Sequence, residues 1–184
     1  MMTRLIAATT VLAGMVLASG CSATSGASTG FNVTKNLFRK DSNLRVFLDG
    51  EQAKQSTLRK GLSGYAPFVI NKEASTSPVF RYEIIEPKKF GFIKSVTMQV
   101  HQKFEADFSD IPDYVIYAAR QDSEAQMKPN VDYDLGNLGP DFKILDKKDK
   151  TVDRVAFVPG VEYLLVLTLS ADKSESVQIY FKTR

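Results

Sequence analysis

The sequence predicts a mainly β fold: an antiparallel β-sandwich with at most one short helix. Three observations predict it. Several short runs alternate apolar and polar residues with a period of two. Turn signals separate those runs at short intervals. Apolar spacing of the helical kind is nearly absent from the chain.

In chain order, Leu44, Val46 and Leu48 share one face of a strand, and Asp49-Gly50 after them is a hairpin turn signal. Glu51–Leu62 contains good helix formers (Ala53, Lys54, Leu58, Arg59), with Gly61 placed to stop them, and is read as the one short helix. Phe80, Tyr82 and Ile84 alternate with Arg81 and Glu83. From Phe90 onward the even positions Val96, Met98 and Val100 form a dry face, and the odd positions Ser95, Thr97, Gln99 and His101 a wet one. Tyr114–Ala118 is apolar on both faces, as a central strand would be. Tyr163–Leu169 is again apolar on both sides. Val177, Ile179 and Phe181 alternate with polar residues, and the polar segment Ser170–Ser176 joins these last two runs as a hairpin.

The chain of 184 residues has 43% hydrophobic and 24% charged residues, enough for one domain with a sizeable core. A net charge of +3 is too weak a bias to argue for a nucleic-acid partner. A single Cys excludes an internal disulfide, and a single His removes most metal sites and most His-dependent catalysis. Neither a Walker A segment nor a GxGxxG segment occurs, and no cofactor is expected.

The first residues carry the most specific signal. Arg4 is their only charge, Leu5–Leu17 is mostly apolar, and Ala18, Ser19 and Gly20 precede Cys21. A membrane span needs roughly 20 apolar residues, so the run fits a secretory segment better than a transmembrane helix. The order of charge, short apolar run, small residues and cysteine resembles a bacterial lipoprotein signal peptide with its lipobox. Ala18 stands where that family usually has leucine, which falls one place earlier at Leu17. The resemblance implies cleavage after residue 20 and lipidation of Cys21. It also implies sorting to the outer membrane of a Gram-negative cell, since Ser22 and not Asp follows the cysteine. Residues 22–30, rich in Ser, Thr and Gly and free of charge, read as a flexible tether. The folded domain is then expected over residues 31–184.

Near the C-terminus, Val158-Pro159-Gly160-Val161-Glu162-Tyr163 precedes an apolar strand and a last hairpin. The segment resembles the turn before the penultimate strand of fibronectin type III and other immunoglobulin-like sandwiches. That resemblance implies an immunoglobulin-like sandwich and a tyrosine corner at Tyr163, whose hydroxyl would bond back to the turn.

Candidate chemistry is sparse. His101 has the phase of the wet face and is expected to face solvent. Carboxylates gather as Asp107, Asp110 and Asp113, as Asp132 and Asp134, and as Asp146 and Asp149. Their positions at strand ends and loops suit turn capping. Lys147-Lys148-Asp149-Lys150 reads as a solvated loop. Two loops could meet a protein partner. One is Gly61–Pro67, which holds Tyr65. The other is the long stretch Gln121–Asp141, with Met127, Tyr133, Leu135 and Leu138. The competing reading is that these apolar groups pack back over an open end of the core. The sequence therefore points to a non-enzymatic, membrane-anchored lipoprotein that binds or assembles with a protein of the cell envelope. The alternative is a surface-exposed module for a glycan or a host surface, with 7 Tyr but no Trp to stack on sugars.

Overall fold

The structure, a computed structural model, describes residues 41–56, 65–105, 107–120 and 126–184. The signal segment, Cys21, the tether, and Leu58 to Gly64 lie outside the described residues. In chain order the strands are β1 (Leu44–Leu48), β2 (Glu51–Gln52), β3 (Lys54–Gln55), β4 (Phe68–Val69), β5 (Val79–Ile84), β6 (Ser95–Phe104) and β7 (Asp107–Phe108). They continue as β8 (Tyr114–Ala118), β9 (Tyr133–Asp134), β10 (Phe142–Asp146), β11 (Thr151–Val152), β12 (Glu162–Ser170) and β13 (Glu175–Lys182). A short helix, α1 (Pro87–Phe90), lies between β5 and β6.

The strands form two sheets. The small one has the order β2-β1-β5-β9 and the large one β11-β10-β8-β6-β12-β13-β4-β3, with β7 added to the end of β6. All strand pairs are antiparallel except β4 with β13. The inward residues of both sheets meet in one hydrophobic cluster: Leu44, Val46, Leu48, Phe80 and Tyr82 from the small sheet, and Val96, Met98, Val100, Leu165, Leu167, Leu169, Val177 and Ile179 from the large. That is a β-sandwich, and the two-residue period puts alternate side chains into it.

The immunoglobulin-like features are local and specific. The last two strands form a hairpin within one sheet, with β1 and β5 in the other. Pro159-Gly160 makes the turn into β12, with Gly160 at φ 75°, a conformation glycine adopts without steric cost. The buried Tyr163 hydroxyl then accepts the Val158 N–H at 2.8 Å, which is the tyrosine-corner bond. Its ring packs edge-on against Phe157 and stacked on Phe181.

Two expectations need correction. The segment read as the start of a helix is extended: Glu51 and Gln52 pair with Leu48 and Phe47 of β1, and Lys54 and Gln55 pair with β4. Asp49 and Gly50 both have positive φ, 48° and 78°, as a two-residue type I′ hairpin requires. That turn sends the chain back along β1, and cross-strand pairing overrides the helix preference of these side chains. The helix that does form is α1, which starts on Pro87 and buries Phe90.

The second correction concerns His101. It has the outward phase of β6 but is only 7% exposed. β7 pairs back on Lys103 and Phe104, and the chain beyond it passes over the ring. One imidazole nitrogen, Nδ1, lies 2.8 Å from the Ser109 carbonyl oxygen.

Candidate functional site

The N-terminal end of β1 lies against the turn between β12 and β13, and a cleft of about 450 Å³ opens there. Ser42, Tyr65, Lys89, Phe90, Lys173 and Glu175 line it. Glu175, the first residue of β13, has the same phase as Val177, Ile179 and Phe181, so its side chain turns inward and is 5% exposed. A charge in such a place needs hydrogen-bond donors. The Ser42 hydroxyl donates to Glu175 Oε1, and the Asn43 N–H donates to the same oxygen at 3.2 Å. Ser42 Oγ in turn accepts the Leu44 N–H at 3.1 Å.

Burial raises the Glu175 pKa above the ordinary carboxylate value, and the bonds from Ser42 and Asn43 only partly oppose this. The Tyr65 phenol is also pushed up, first by burial and then by the Glu175 charge. Lys89 is engaged by Glu86 at 2.5 Å. The carboxylate thus fastens the start of β1 to the start of β13, and the cleft walls carry charge of both signs.

Tyr65 is the predicted partner residue that reaches this cleft. The others belong to a different place. Met127 and Leu135, 3% and 0% exposed, are core residues, so they offer no surface to a partner. The Met127 carbonyl accepts the buried Tyr82 hydroxyl at 2.7 Å, which ties this stretch to β5. Leu138 is partly buried against the same core. Tyr133 on β9 packs edge-on against Phe142, and its hydroxyl accepts the Lys128 N–H at 2.7 Å. Residues 126–141 therefore cover one flank of the sandwich, because β9 pairs with β5 and draws the intervening apolar groups inward. Residues 121–125 lie outside the described residues.

The carboxylate groups also hold the backbone. Asp113 accepts the Gln102 N–H at 2.7 Å. Asp134 accepts the Ser77 hydroxyl at 2.5 Å and the Gly136 N–H at 2.9 Å. Asp146 accepts the N–H groups of Lys148 and Lys150, both at 2.9 Å, and the Lys150 bond is the larger cause of its lowered pKa. Asp107, Asp110, Asp132 and Asp149 are exposed. Among the described residues, no group of three or more His, Cys, Asp or Glu could hold a metal ion. Sequence reasoning passed over Glu175, although a carboxylate in the dry phase of an alternating strand was the signal for it. Comparison with known proteins gives no family model, no curated relative and no solved structure that matches this chain.

Proposed function

We propose that this chain is a non-enzymatic lipoprotein, fixed to the outer membrane by acyl chains on Cys21, whose β-sandwich binds or assembles with a protein of the cell envelope. The observation that carries the reading is the order at the start of the sequence: Arg4, the apolar run Leu5–Leu17, the small residues 18–20, then the single cysteine of the chain. Each buried lipid CH₂ contributes roughly 0.8 kcal/mol, and more than one acyl chain is needed for stable anchoring. Several chains on Cys21 would therefore hold the sandwich at a bilayer with no protein span. Residues 22–30 would let it reach a partner.

The side chains support a binding role over a reaction. His101 and Glu175 are buried and hydrogen-bonded to the chain, and Asp134 and Asp146 cap turns. Growth with a labelled fatty acid tests the anchor. The full chain is expected to take up label and to sediment with outer membranes, and Cys21→Ala to do neither. Wild-type protein without label would overturn the reading. Crosslinking of the labelled protein in intact cells should then yield a discrete adduct with an envelope protein.

A further inference from the structure

A second cleft lies in the large sheet, where β6 and β8 part. Their last cross-strand pair toward this end is Thr97 with Tyr117. Beyond it each strand follows its other neighbour. β6 stays with β12 down to the Ser95–Ser170 pair, and β8 stays with β10 to the Ala118–Phe142 pair. The Ala119 N–H then bonds to the Asp141 carbonyl at 2.8 Å, drawing the chain further away. The gap left between the strands is a wedge of about 450 Å³, within the usual size range of ligand sites.

Among the described residues, the charge of its lining is of one sign. Lys94 and Arg120 are cations, Ser95 and Thr97 bring hydroxyls, Tyr117 a phenol and Gln126 an amide; among the described residues that line it none is a carboxylate. Gln126 is buried and donates to the Lys94 carbonyl at 2.6 Å, which braces the rim. Both cations sit in loose pairs, Lys94 with Asp172 and Arg120 with Asp141, each at 3.8 Å. All four of those side chains are more than half exposed. Pairs of this kind contribute about 0–1 kcal/mol, so either cation can turn to a ligand at little cost. A third cation, Lys143, stands 5.9 Å from the centre of the Tyr117 ring.

We propose that this wedge binds a saccharide bearing an anionic group, a carboxylate or a phosphate. Arg120 presents a fork suited to two oxygens of the anion and Lys94 a compact charge beside it. The hydroxyls of Ser95 and Thr97 and the Tyr117 side chain meet the sugar. The inference goes beyond the anchor reading and does not depend on it, since the ligand is captured by the sandwich whether or not Cys21 is acylated.

The test is an NMR or calorimetric titration of the full chain in detergent with glucose, glucuronate, a glucose phosphate and inorganic phosphate. The two anionic sugars are expected to bind about tenfold or more tightly than glucose, the difference a charge-assisted hydrogen bond supplies. Arg120→Ala and Lys94→Ala should each remove that advantage while leaving the unfolding midpoint in place. Thr97→Val should weaken the sugars and spare inorganic phosphate. Equal binding of glucose and glucuronate would overturn the proposal, as would variants that bind like wild type. Inorganic phosphate bound as tightly as the sugar phosphate would overturn it too, by showing an anion site without saccharide recognition.

Discussion

Two clefts of the same volume, about 450 Å³, flank the turn that joins β12 to β13, and they use charge in opposite ways. Lys173 of that turn lines the first, and its neighbour Asp172 pairs with Lys94 in the second. In the first cleft the central charge, Glu175, is 5% exposed and spent on a hydroxyl and a main-chain N–H. In the second, Lys94 and Arg120 are exposed and, among the described residues, are held at 3.8 Å by exposed partners. Cavity size therefore does not separate a structural site from a binding site. What separates them is whether the polar groups are already committed to the fold.

The sharpest way to break this comparison is Glu175→Ala. It strands the Ser42 hydroxyl and the Asn43 N–H where Ser42 is only 6% exposed. A buried donor without its acceptor costs about 1–3 kcal/mol. The urea midpoint should fall by the corresponding amount with an unchanged slope, which marks a change in stability and not in the surface exposed on unfolding. Saccharide binding at the second cleft should survive. A stable Glu175→Ala protein would show that the fastening between β1 and β13 is dispensable.

Glu175→Gln is subtler, because the amide oxygen keeps an acceptor for both donors and removes the charge. The folded-state pKa of Glu175 is raised, with burial the first cause. A raised folded pKa means the native state holds the proton more tightly than the unfolded chain. The stability this adds is fully present below the ordinary carboxylate pKa and is lost as pH rises through the folded value. Wild type should thus lose stability over that window, and Glu175→Gln should lose less. The difference between the two curves should open toward neutral pH in favour of Gln. Parallel stability–pH curves for the two proteins would mean that the Glu175 charge is not disfavoured by its surroundings.

How far the sequence reveals these sites follows from how local their causes are. Val96, Met98 and Val100 are readable from their two-residue period, and Leu165, Leu167 and Leu169 from a run that is apolar on both sides; all six are buried. Tyr163 was legible from the Pro-Gly turn before it, because the corner bond spans only five residues. Glu51–Gln55 was not, since its side chains favour a helix and the deciding partner is β1 across a turn. β4 has two residues and a parallel partner over a hundred positions away, so no local pattern marks it. His101 shows a mixed case: its phase was right, and its cover came from a later segment. The second cleft is the least legible feature. It exists because β6 follows β12 while β8 follows β10, and Lys94 and Arg120 line one cleft through that divergence.

The smallest expected effect is the most telling for the comparison. Lys94→Ala and Arg120→Ala each remove a cation whose ion pair is solvated on both sides. Substitutions of that kind usually shift stability by no more than about 0.5 kcal/mol. The two variants should unfold with wild-type midpoints even at low salt, where surface pairs contribute most. A loss as large as that of Glu175→Ala would place Arg120 or Lys94 among the groups that hold β6, β8 and the β12–β13 turn together. The two clefts would then be the same kind of structure. Silence in the unfolding curve, joined to a loss of binding, is the combination expected of cations that the fold positions without depending on them.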